Sequence, residues 1–203
     1  MNIYEMVARS RSYRRFYENY KVSMATLTSL IDLSRLTPSA ANLQPLRYIV
    51  SNDPVTNQSI FETLSWAAYL KDWPGPLEGE RPSAYIVILG EKKHSKTAAW
   101  DMGIAAQTIM LGATEAGLGG CMVGSIKKEA LSEALQVPDE LEVLLVLALG
   151  KPKEMVLLET LKPGQDIKYW RDSKKVHHVP KRPLEEVLLK TFRKQDSDQL
   201  LNS

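Results

Sequence analysis

The sequence predicts one globular domain that mixes helices with strands. A chain of 203 residues suits a single domain that buries roughly 70% of its accessible surface. Apolar residues at 44% and charged residues at 25% match globular averages and argue against disorder or a fibrous architecture. Segments of helical spacing also alternate along the chain with short apolar or β-branched runs.

The first element is a short helix, because Ile3, Met6 and Val7 share one face, and it ends near Arg9. Ser23 is an N-cap for a second helix, in which Leu27, Leu30, Ile31 and Ser34 recur at three and four until Pro38 stops the pattern. Leu46 to Ser51 reads as a strand closed by the turn signal Asn52, Asp53, Pro54, and Thr56 to Leu64 reads as helical. Trp66 to Pro82 is breaker-rich and carries three large aromatics, Trp66, Tyr69 and Trp73, so it is either a ligand cover or a plain surface excursion.

Tyr85 to Leu89 is a continuous apolar run, as expected of a buried strand. Ser95 to Ala116 is the longest helix, apolar nearly all round and rich in small residues, which marks it as central, either in the core of the domain or at a dimer interface; Gly117 is its C-terminal stop. Cys121 to Gly124 forms a short strand, Ser125 caps a helix through about Leu135, and Val143 to Leu149 is another fully apolar strand before Gly150. Lys151 to Arg182 shows little periodicity and reads as an extended arm; Pro183 opens a final helix, Leu184 to Phe192, before a frayed polar tail at 195–203. The domain therefore spans 1–203.

The formal net charge of +2 is too small for a non-specific nucleic-acid binder, whose footprint is a pronounced basic surface. Cys121 is the only cysteine, so no intrachain disulfide exists. The N-terminus lacks an apolar signal region and no run reaches membrane-spanning length, so the expected location is the cytoplasm and no membrane partner is expected.

Several familiar sites do not fit. Gly117, Gly119, Gly120 and Gly124 follow a helix and precede a strand, the reverse of a dinucleotide fingerprint. There is no Walker motif and no nucleophile elbow; His94, His177 and His178 lack metal-ligand spacing, the last two pointing apart as neighbours do, so no metal site is expected. Cys121 is most simply a small core residue.

Two runs carry chemistry. Arg11, Ser12, Tyr13, Arg14, Arg15, Phe16 concentrates guanidiniums beside a hydroxyl, which suits a phosphate dianion and equally describes a solvated basic turn. Pro38, Ser39, Ala40, Ala41, Asn42, Leu43, Gln44, Pro45 sets two amides on a Pro-bracketed loop, which suits the edge of a polar ring and equally describes a loop that structures itself. Together they suggest a phosphorylated heterocyclic cofactor, bound within one chain or shared between two.

These two runs, with Ala113, Thr114, Glu115, Ala116, Gly117, Leu118, Gly119, Gly120 and the following Gly124, and with Val179, Pro180, Lys181, Arg182, resemble the nitroreductase family of flavin enzymes, in order along most of the chain. The resemblance implies an α+β fold, with a mostly antiparallel central sheet flanked by helices and an extended C-terminal arm, and a homodimer with two FMN sites at its interface. By it Arg11, Ser12 and Arg14 hold the FMN phosphate and ribityl end, joined by Lys181 and Arg182. Pro38, Ser39, Asn42 and Gln44 come from the other subunit to meet the isoalloxazine or ribityl chain, and Met122, Val123 and Gly124 line the ring through their backbone. Trp66, Tyr69 and Trp73 are candidate walls of the substrate entrance.

The family also often carries Arg where this chain has Ser10, and Trp where it has Leu46. The implied activity is reduction of a small organic acceptor, of nitro or quinone type, by NADH or NADPH; because flavin supplies the redox chemistry, no catalytic triad is required. Relatives that keep FMN but dehalogenate or fragment flavin, and a flavin-binding module without turnover, are the alternatives.

Overall fold

A computed structural model describes residues 1–70 and 72–192. The polar tail at 195–203 lies outside the described residues. Helix α1 (Ile3–Arg9) starts at a reciprocal cap: Asn2 accepts from the Glu5 backbone N–H and the Glu5 carboxylate accepts from the Asn2 backbone. Ser23 caps α2 (Met24–Arg35) by accepting from Thr26 N–H, and Asp53 caps α3 (Pro54–Glu62) with Pro54 in the first turn. Helix α4 (Ser95–Glu115) is the long one, and Gly117 follows it with φ of +70°. Two short helices, α5 (Lys128–Ala134) and α6 (Leu184–Val187), complete the set.

Strands β1 (Leu46–Ser51), β2 (Ala84–Glu91), β3 (Gly119–Val123) and β4 (Leu141–Gly150) form one antiparallel sheet in the order β1-β2-β4-β3. Alternation along β2 divides the core. Ala84, Ile86 and Ile88 face α2 and α4, packing with Leu27, Leu30, Ala106 and Ile109. Tyr85, Val87 and Leu89 face the other way, toward Ile60 of α3 and Leu131 of α5. Both faces are covered, which is why β2 reads as an unbroken apolar run. Each fully buried Leu or Ile here contributes about 1.5–3 kcal/mol.

The arm carries a second sheet, β5 (Val156–Thr160), β7 (His177–Lys181) and β6 (Trp170–Arg171), with β5 parallel and β6 antiparallel to β7. Its strands are short and mostly half-exposed, so they leave no apolar period in the sequence.

Two expectations are corrected. Ser125 does not cap α5; Lys127 stands there, because Ser125 O accepts from Ser65 N–H and Ile126 bridges to Leu64, which keeps this stretch extended. The final helix ends at Val187 rather than Phe192, since Leu184, Val187, Leu189 and Phe192 are all exposed and an isolated helix with no packed face is marginal.

Candidate functional site

The arginine run is pinned to the start of β3: Tyr13 N–H donates to Gly120 O at 2.8 Å, and Ser12 bridges to Gly120. Its three guanidiniums then diverge. Arg11 donates to Val7 O, its Nε is buried without a partner, and burial lowers its pKa. Arg15 is committed elsewhere, in a two-pronged pair with Glu80 that Lys153 joins at 3.3 Å. These hydrogen bonds hold the Glu80 carboxyl at about 2. Arg14 is buried, 9% exposed, and lines a groove of about 160 Å³ with Trp66, Cys121, Met122, Val123 and Gly124.

The setting of Arg14 comes mainly from residues that sequence reasoning missed. Its Nη1 donates to Ser12 O at 3.2 Å and lies 3.3 Å from His177 Nε2, while the Tyr169 ring covers the guanidinium at 4.8 Å. The Glu154 carboxylate, fully buried, accepts from Arg14 N–H and from Arg171 Nη2 at 2.9 Å. His177 is 1% exposed, and burial, then Arg14, push it down to about 4, so it is neutral at ordinary pH. Only the pairing of one Glu with one Arg across an unpatterned arm could have signalled this network.

The Trp66 to Pro82 loop is a fixed wall rather than a free flap at its far end. The Glu18 carboxylate accepts from Gly79 and Arg81 N–H, and Phe16 N–H donates to Glu80 O. Trp66 packs on Phe61 and lines the groove; Tyr69 meets the Tyr169 ring at 5.0 Å; Trp73 lies under Arg171 at 4.7 Å, away from the groove lining.

The amide loop lies at a second place, a cleft of about 140 Å³ lined by Pro38, Ser39, Gln44, Leu46, Tyr48 and Asp101, among others. Asp101 of α4 accepts from Ser39 Oγ and from Ala40 N–H, and Ser39 Oγ accepts from Gln44 N–H at 2.9 Å. Gln44 Nε2 donates to Asn42 Oδ1 at 3.2 Å. Ala41, Asn42 and Gln44 all have left-handed φ, of 49°, 55° and 48°, a conformation that persists only where surroundings over-determine it. Asp101, a carboxylate amid the small and apolar residues of α4 and its only one before the terminal Glu115, was the available signal.

Within one chain these two places do not meet. The amide loop is tied to Asp101, and the arginine run to Gly120 beyond the far end of α4; the helix between Asp101 and Glu115 alone rises about 20 Å. Lys181 and Arg182 do not join Arg14 either. Lys181 stands about 13 Å further along β7 from His177, and Arg182, just past the strand, pairs with Glu186 at 3.0 Å. Ser10 caps the C-terminus of α1, and Leu46 lines the amide cleft.

A four-stranded antiparallel sheet with helices on both faces, an arginine turn bridged to β3 and a Gly-rich return after α4 define an α+β class of protein. The nitroreductase family model matches residues 7–151, and the chain belongs to that family. A "Putative NADH dehydrogenase/NAD(P)H nitroreductase" of Archaeoglobus fulgidus is 29% identical over 158 residues, 74% of this chain and 85% of that protein. Among solved structures, a nitroreductase family protein of Clostridium novyi NT superposes with a TM-score of 0.65 at 22% identity, over 89% of this chain and 94% of the other. One from Clostridium difficile gives 0.62 at 24% identity, over 76% and 87%. These structures share the fold. Among the described residues no helix is long and apolar enough to cross a membrane.

Proposed function

We propose that the protein is an FMN-dependent NAD(P)H oxidoreductase that reduces a small organic acceptor of nitro or quinone type. The observation that carries this reading is the groove in which a buried guanidinium, Arg14, sits beside the backbone of Met122, Val123 and Gly124. The residues fit an FMN: Arg11 Nε is a buried donor without a partner, Arg14 offers a charged donor at the groove, and a Cβ built on Gly124 would have its nearest neighbour 3.9 Å away, so the ring's edge meets open backbone. When bound, FMN supplies the redox chemistry.

The protein's part is binding, orientation and exclusion of water. Arg11, Ser12 and Arg14 hold the phosphate end, the β3 backbone lines the ring, and Trp66 walls the groove, with Tyr69 at its rim. The cofactor pocket is completed by Pro38, Ser39, Asn42 and Gln44 of a second copy, since one copy holds the two halves about 20 Å apart along α4. The exposed Trp100, Leu189 and Phe192 provide apolar surface for such a homodimer. The location we infer is the cytoplasm.

The test is a visible spectrum of the purified protein, followed by anaerobic titration with NADH and then NADPH. A flavin absorbance that either nucleotide bleaches, and that a nitroaromatic or quinone restores, is the expected result. A preparation that stays colourless after incubation with FMN would falsify the reading.

A further inference from the structure

Resting on the reading of Arg14 as a phosphate ligand, we propose that His177 is its positioning residue, the neutral acceptor that turns the guanidinium toward the groove. Both hydrogen bonds that the Arg14 side chain makes among the described residues use Nη1, one to Ser12 O at 3.2 Å and one to His177 Nε2 at 3.3 Å. That leaves Nε and Nη2, the two donors of a guanidinium edge that matches a phosphate oxygen pair.

The protonation state follows from the partner. A guanidinium only donates, so Nε2 must accept and the imidazole proton sits on Nδ1, which is buried without a partner. The ring cannot turn freely to escape that cost. It is 1% exposed, packs at 5.1 Å against the tilted ring of Tyr169, and Tyr169 in turn covers Arg14. A protonated imidazole here would place a second cation against Arg14, and burial first, then Arg14, hold the His177 pKa low. Strand β7 thus carries an uncharged, hydrogen-bond-accepting backstop to a cation that the cofactor's anion must meet from the opposite side. A Lys or Arg in its place would compete for the phosphate, and a carboxylate would neutralise Arg14.

The experiment compares FMN with riboflavin, which lacks the phosphate, by flavin fluorescence quenching on His177→Ala, His177→Met and His177→Gln. His177→Met fills the space without an accepting nitrogen or oxygen, and His177→Gln places an acceptor close to the position of Nε2. The expected result is a loss of FMN affinity of roughly tenfold in the Ala and Met variants, with riboflavin affinity unchanged and FMN affinity kept by Gln.

An unchanged ratio of FMN to riboflavin affinity in the Ala and Met variants overturns the positioning role. So does an equal loss of both ligands, which is the mark of a structural role only. Arg14→Ala runs alongside, with an expected FMN-selective loss of about ten- to a hundredfold. If that loss is seen and His177 is silent, only this inference falls; if Arg14→Ala leaves the ratio intact, the phosphate site lies elsewhere and the reading beneath falls with it.

Discussion

His177 and His178 are neighbours on β7 that face opposite charges: His177 Nε2 lies 3.3 Å from Arg14 Nη1, whereas His178 Nδ1 lies 2.6 Å from Glu159 Oε1. Alternation along a strand sends them to different faces. Burial and then Arg14 lower the first; the Glu159 hydrogen bond raises the second.

Their effects on stability therefore have opposite signs. The unfolded chain protonates His177 near 6.5 while the folded one resists until about 4, so stability falls as pH drops through that window. His178 contributes stability that is fully present below 6.5 and lost as pH rises through its raised value. Urea denaturation across acid and neutral pH should show that His177→Gln flattens the acid side of the profile and His178→Gln the neutral side. An acid slope in His177→Gln equal to that of the parent would contradict the assignment.

The buried Glu154 carries the next expectation. Its side chain has no exposed surface and accepts from Arg14 N–H and Arg171 Nη2, so removing it strands the Arg171 guanidinium between Trp73 and the arm. Glu154→Ala should cost about 3–5 kcal/mol, the range for breaking a buried pair from one side. Glu154→Gln, which keeps an acceptor, should cost less. Equal midpoints for the two variants in chemical denaturation would show that the pair is not what holds the arm.

Gly120 and Gly124 bracket β3 and should respond differently to a methyl group. A Cβ on Gly120 would meet the Ala148 backbone oxygen at 2.6 Å, which cannot yield without shifting β4, whereas one on Gly124 has nothing nearer than 3.9 Å. Gly120→Ala should destabilise by about 1–3 kcal/mol, as overpacking does, and disturb the bridge to Ser12. Gly124→Ala should leave stability nearly unchanged. Comparable thermal midpoints would mean that β3 and β4 are looser than the pairing implies.

The sheet was legible because its physics is local. The strand bounds Leu46–Ser51, the Ser23 cap and the stop at Gly117 follow from β-branched content, a side-chain acceptor and a left-handed backbone. The arm was not, because the parallel pairing of β5 with β7 joins residues 21 apart through half-exposed positions with no period. The same holds for the site. Arg14 could be read from a run of arginines, but His177, Tyr169 and Glu154 become its surroundings only through that pairing, and Asp101 becomes the amide loop's anchor only through the packing of α4 on the loop.

A pocket assembled from two copies makes a prediction that one chain alone cannot satisfy. Arg14→Ala disables the half at β3, and the double change Asn42→Ala with Gln44→Ala disables the half anchored to Asp101, some 20 Å away along α4. Each homodimer then has two damaged pockets. In a mixed dimer the two lesions fall together in one pocket and leave the other intact, so co-refolding equal amounts should restore FMN binding to about a quarter of all sites under random pairing. Flavin titration of the mixture, against each variant alone, measures that fraction. Recovery no greater than the average of the two variants would place both halves of the pocket within a single chain, against the geometry of α4.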